Sequence, residues 1–148
     1  KEMHSVVKLE LKKKFDIVIM AAAVADYVPT IQSKNKIKSS KSSMNISLKK
    51  APKIIDQIKK YQKNVLLVGF KAETNFTKAQ LIKSAQKKLK ESEADMIVAN
   101  DIGLIRYKKN PKNNQVIIVD SKKNIVSGWM SKEKIAKLIR KQIEVKIK

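Results

Sequence analysis

The chain has 148 residues, with 34 Lys and Arg against 13 Asp and Glu and a formal net charge of +21. That length suits one α/β-sized domain, and a 43% hydrophobic share excludes a disordered basic tail. No apolar run approaches the roughly 20 residues of a membrane span, and a chain without Cys and with only His4 excludes disulfide scaffolds, thiolate or His-rich metal centres and a cysteine nucleophile.

Residues 1–14 place Val6, Val7 and Leu11 near helical spacing, which predicts a short amphipathic helix. Phe15 to Ala25 (FDIVIMAAAVA) is a near-continuous apolar run and reads as a strand buried on both faces of a parallel sheet. Its second half is small: Ala21, Ala22, Ala23 and Ala25 either let another molecule approach the backbone or let a helix pack closely. After Tyr27 the composition turns Lys- and Ser-rich, and Met44, Ile46 and Leu48 then alternate with polar residues, the period of a half-buried strand. Ile37 is the expected partner position. The segment 27–50 therefore reads as an excursion from the main sheet, a lysine loop followed by a β-arm, and no linker separates two domains.

Regular alternation returns after residue 50. Pro52 suits the first position of a helix whose apolar stripe is Ile54, Ile55, Ile58 and Tyr61. Val65–Phe70 is a second buried strand, and residues 77–93 are a helix with Leu81, Ile82, Ala85 and Leu89 on one face and lysines on the other. Asp95–Ala99 is a third strand. Gln115–Asp120 and Ile125–Trp129 read as a hairpin, and a last helix starts near Ser131. Strand and helix alternating at crossover lengths predict an α/β fold with a Rossmann-like, three-layer parallel sheet.

In such sheets ligands bind beyond the carboxyl ends of the strands. Those ends carry Ala22–Asp26, the segment Gly69 to Thr74, and the pair Asn100 and Asp101. With Lys36 and Lys38 from the loop, this set suits an anionic nucleotide: an Asp for ribose hydroxyls or a metal, Phe70 for a base, lysines for phosphates. Each residue has a plainer alternative: Asp26 a strand-end turn, Phe70 core, the lysine loop solvated surface, Asn100 and Asp101 a cap. Gly69, Gly103 and Gly128 build no glycine-rich phosphate loop. Only Arg106 and Arg140 are arginines, which disfavours a reader of nucleic-acid sequence, although a lysine surface for polyanions stays open as an alternative function.

Five segments in order, AAAVADYVP (21–29), KIKS (36–39), VGFKAET (68–74), a Lys-Leu step at 88–89 and ADMIVANDI (94–102), resemble phosphopantothenate–cysteine ligase. In this family the ligase is often the synthetase half of the bifunctional coenzyme A biosynthesis flavoprotein. The resemblance spans nearly the whole chain. It implies activation of 4′-phosphopantothenate by CTP or ATP with Mg2+, then attack by the amino group of cysteine on the acyl-nucleotide. It also implies a cytoplasmic homodimer. Site residues it implies are the backbone around Met20, Ala21 and Ala22 at the base, Asp26 at the ribose, and Lys36 beside Lys38 in activation. Pro52, Lys53, Ile54 and Ile55 would lie near the nucleotide, Phe70 in the base pocket and Lys88 on the nucleotide, with Asn100 and Asp101 at the substrate or an interface. Residues 27–50 would be a lid and dimerisation arm.

Three departures stand out. Ser39 replaces a common second lysine, with Lys41 as a stand-in; Ala51-Pro52-Lys53 replaces Asn-Pro-Asp; Ser92 replaces a lysine, with Lys90 nearby. The resemblance further implies an opening βαβ unit with an Asn-Ser-Ser-Gly segment ahead of Lys1, and FMN in a separate decarboxylase domain. Neither lies in this sequence, so the chain reads as a single, incomplete ligase domain whose metal number is undetermined and which is inactive on its own.

Overall fold

A computed structural model describes residues 2–31, 33, 35–37, 39 and 42–147. The elements in chain order are α1 (Glu2–Glu10), a 3₁₀ turn (Leu11–Lys13), β1 (Ile17–Met20), β2 (Tyr27–Pro29), β3 (Leu48–Lys50), α2 (Ile55–Tyr61), β4 (Leu66–Glu73), α3 (Lys78–Ser92), β5 (Met96–Asp101), α4 (Ile105–Lys109), β6 (Asn113–Asn114), β7 (Ile117–Val119), β8 (Asn124–Val126), β9 (Met130–Ser131) and α5 (Lys132–Ile147). The main sheet has the order β1-β4-β5-β7-β8. β1, β4 and β5 run parallel, joined by the expected helical crossovers, and the hairpin β7–β8 adds two antiparallel strands beside β5. The sheet is therefore mixed, because a four-residue turn can join only antiparallel neighbours.

Successive side chains on β5 enter opposite cores, which is why its sequence is apolar without alternation. Ile97 and Ala99 meet Leu11, Ile58 of α2 and Leu81 and Ala85 of α3 on one face. Met96 and Val98 meet Ile135, Ile139 and Ile143 of α5 on the other. The three layers are thus helices α2 and α3, sheet, and α5. At the amino ends of the strands, Asp95 locks the parallel pair: its carboxylate accepts from the Leu67 N–H at 2.7 Å and from Lys59 Nζ at 2.7 Å.

Three expectations about local structure need correction. The run Phe15–Ala25 is not one doubly buried strand: only Ile17–Met20 is extended in the sheet, Ile19 is 52% exposed, and residues 21–25 leave it. β1 bonds to β4 alone among the described residues, so one edge has no neighbour, and alanines offer too little side chain to bury. The arm is shorter than its alternation suggests. Tyr27–Pro29 pairs antiparallel with Leu48–Lys50, while Met44, Ile46 and Ile37 are exposed and in no strand. Pro52 lies three residues ahead of α2 rather than within it.

α3 starts as its sequence dictates. Thr77 Oγ1 accepts from Gln80 N, and Gln80 Oε1 accepts from Thr77 N at 2.8 Å, a reciprocal capping box. Gly69 leaves room for its neighbours: a Cβ there would come within 2.5 Å of Ile55 Cδ1 and 2.7 Å of Ile97 Cδ1, so both side-chain tips would have to shift. The missing side chain lets the start of α2 rest on β4, which sets the residues before α2 over the sheet's carboxyl edge.

Candidate functional site

A cleft of about 500 Å3 opens at the carboxyl ends of β1 and β4, where the crossovers to α2 and α3 leave the sheet. From β1 and its following segment come Met20, Ala22 and Asp26; from the approach to α2 come Pro52, Lys53, Ile54 and Ile55. β4 supplies Phe70, Lys71 and Glu73, and α3 supplies Ser84, Lys87, Lys88 and Glu91. One wall is small and apolar, one rim is a half-exposed aromatic ring, and the α3 side is charged. That division suits a ligand with a flat, partly apolar group and an anionic tail.

Most of the expected site residues meet here. Met20, Ala22, Asp26, Pro52, Lys53, Ile54, Ile55, Phe70 and Lys88 all line the cleft. Ala21 lies beside it without lining it, and Lys36 is exposed on the arm, also outside the lining. Lys38 and its neighbour Lys41 lie outside the described residues. Asn100 and Asp101 sit one strand over and do not line the cleft.

Asp101 has a different task. It is 3% exposed, and its carboxylate accepts from the N–H groups of Asn75 at 3.0 Å, Phe76 at 2.8 Å and Gly103 at 2.6 Å. It therefore ties the end of β5 to the turn that leads into α3. Asn75 takes φ 60° in that turn, and a Cβ on Gly103 would fall 2.8 Å from the Asn75 nitrogen. The Asp101 carboxylate closes the turn, so Asp101 has the cap role that its sequence position also allowed.

The charged side of the cleft is ordered by ion pairs. Lys88 is 9% exposed and donates to Asp56 Oδ1 at 2.6 Å, across 32 residues of chain. Glu73 Oε1 accepts from Ser84 Oγ at 2.6 Å and lies 3.1 Å from Lys71 Nζ. Lys87 lies 3.8 Å from Glu91 one turn along α3. Of Ser84, Lys87, Lys88 and Glu91, only Lys88 is expected from the sequence, although spacings of three, four and seven place all four along one stripe of α3. The pairing of Lys88 with Asp56 has no local signal at all.

Among the described residues, no group of three or more His, Cys, Asp or Glu could hold a metal ion, and no helix is long and apolar enough to cross a membrane. Any divalent cation in this cleft would take most of its ligands from phosphate oxygens and water, as Mg2+ commonly does.

Comparison with known proteins gives a consistent picture. The family described as DNA/pantothenate metabolism flavoprotein C-terminal domain matches residues 1–146. The coenzyme A biosynthesis bifunctional protein CoaBC of Thermococcus kodakarensis is 36% identical over 144 residues, covering 97% of this chain and 34% of that protein. The chain thus spans about a third of that relative's length. The crystal structure of the DNA/pantothenate metabolism flavoprotein from Streptococcus pneumoniae superposes with a TM-score of 0.77 at 28% identity, covering 97% of this chain and 67% of that one. The C-terminal domain of a coenzyme A biosynthesis bifunctional protein CoaBC gives 0.73 at 29% identity, covering 99% of this chain and 61% of that one.

Proposed function

The chain belongs to the family of the DNA/pantothenate metabolism flavoprotein C-terminal domain, and from that premise we propose that its cleft binds a nucleoside triphosphate for the ligase step of coenzyme A synthesis. In that step a carboxylate oxygen of 4′-phosphopantothenate attacks the α-phosphorus of CTP or ATP and pyrophosphate leaves. The amino group of cysteine then attacks the acyl carbonyl, a proton leaves the nitrogen, and the nucleoside monophosphate departs. Neither step needs a nucleophile from the protein. What is required is alignment of two reactants and neutralisation of phosphate charge.

The observation that carries this reading is the convergence in one cleft of the small-residue wall, Asp26, Phe70 and Lys88. Backbone groups at Met20 and Ala22 face the base, Phe70 packs on it, and Asp26 accepts from ribose hydroxyls. Lys53 and Lys88 meet the phosphates, with Mg2+ arriving on the triphosphate. Lys36 lies outside the lining, so an activating role for it requires the 27–50 arm to carry it to the α-phosphate. The exposed Tyr27, Met44, Ile46 and Leu48 of that arm suit burial against a second copy of the chain. FMN belongs, in this reading, to a separate decarboxylase domain of a longer cytoplasmic parent. A polyanion-binding role is supported only by the overall charge, since three of the four cleft lysines already face carboxylates.

The test is pyrophosphate release by the full-length parent protein with 4′-phosphopantothenate, cysteine and either CTP or ATP. Pyrophosphate formation that depends on both acid and nucleotide, with product requiring cysteine, is the expected result. The same assay with Asp26→Ala should lose most turnover. No pyrophosphate with either nucleotide would overturn the reading.

A further inference from the structure

The lysines of the cleft differ in whether their charge is already compensated. Lys71 Nζ lies 3.1 Å from Glu73, Lys87 3.8 Å from Glu91 and Lys88 2.6 Å from Asp56. Lys53 lines the same cleft, is exposed, and is the one lining lysine with no carboxylate within ion-pair distance among the described residues. An ammonium held against a carboxylate adds little net field at a nearby phosphate, because the acid repels the anion about as strongly as the base attracts it. Lys88 is the extreme case, with an 11% exposed side chain bonded to a carboxylate that is itself mostly covered.

We propose that Lys53 is the specificity-determining cation of the cleft, the residue that distinguishes a nucleoside triphosphate from a monophosphate, while Asp56 silences Lys88 as a net charge and keeps it as an oriented hydrogen-bond donor. The proposal deepens the nucleotide reading and rests on it. Lys53 and Asp56 stand three residues apart, on either side of the start of α2, so one short segment supplies the free cation and restrains the buried one. Each further phosphate on the ligand adds negative charge that only Lys53, among the lining lysines, meets uncompensated. The stem of Lys88, fixed by Asp56, instead makes a contact that does not depend on the number of phosphates.

Calorimetric titration of CMP, CDP and CTP into the full-length parent protein, repeated with AMP, ADP and ATP and at two salt concentrations, separates these roles. Lys53→Ala should lower the CTP-to-CMP affinity ratio by about fivefold, the scale of one exposed charge pair, with CMP affinity held within about twofold. It should also flatten the salt dependence of CTP binding, and Lys53→Arg should restore both. Asp56→Asn, which frees the Lys88 charge without removing its stem, should raise the same ratio. Lys53 is exposed, so its variants are expected to fold, and circular dichroism verifies this. An unchanged ratio in Lys53→Ala, or a fall in the ratio for Asp56→Asn, would overturn the assignment while leaving nucleotide binding intact. Failure of the unmodified protein to bind any of the six nucleotides overturns the nucleotide reading itself, and this inference with it.

Discussion

Two aspartates near the carboxyl ends of parallel strands have opposite fates in this fold. Asp101, at the end of β5, is buried and accepts three backbone N–H bonds. Asp26, beyond the end of β1, is exposed and lines the cleft, and among the described residues only its main-chain carbonyl is fixed, by the Ala51 N–H at 2.8 Å. The difference arises from the neighbouring chain at each strand end. The turn before α3 brings the N–H groups of Asn75 and Phe76 to Asp101 and the chain just after β5 adds that of Gly103, whereas the alanines after β1 leave the Asp26 side chain with no partner among the described residues. A carboxylate at a strand end is thus available to a ligand only where the chain has not already used it.

Substitutions at both ends probe this contrast. Asp101→Ala strips the acceptors from three N–H groups and should cost about 3–5 kcal/mol, measured by urea unfolding. Gly103→Ala pushes a Cβ against the Asn75 backbone in the same turn and should cost about 1–3 kcal/mol. Asp120 closes a second such turn, between β7 and β8. Burial raises its pKa, but the N–H groups of Lys122 and Lys123 and the Lys146 ammonium outweigh this and hold it below the ordinary value. Lowered in the folded state, it contributes stability that is complete above the unfolded pKa of about 3.9 and is lost as pH falls through the folded value. Asp120→Asn should therefore cost about 1–2 kcal/mol at neutral pH, with the gap to the unmodified protein closing in acid titration. Asp26→Ala, at the open end, should change stability by less than about 0.5 kcal/mol while abolishing the rise in Tm on adding CTP or ATP. A large loss of stability there would erase the contrast between the two ends.

The packed half of the molecule is legible in the sequence and the open half less so. β4, β5, α3 and α5 follow from apolar runs and stripes, because burial on one or two faces imposes those periods directly. The apolar run overextends β1 to Ala25, since alanines are apolar without being committed to a partner strand. Most of the cleft is readable once the strand ends are known, from Met20 and Asp26 through Lys53 to Phe70 and Lys88. The ion pairs that decide what those residues can do are not. Asp56 meets Lys88, and Asp101 meets Asn75, across distances in the chain that no local pattern encodes.

The division of the main sheet into parallel and antiparallel halves also orders its assembly. The antiparallel half closes through the short β7–β8 turn, while β1, β4 and β5 join only through crossovers. Contacts distant in sequence form slowly, so the hairpin should gain structure ahead of the parallel strands in a quench-flow hydrogen-exchange experiment. Every wall of the cleft belongs to the parallel strands, to the segments that leave them or to the helices that bridge them. A bound nucleotide would then act as a brake on global unfolding rather than on local fraying, and would slow proteolysis of the whole domain.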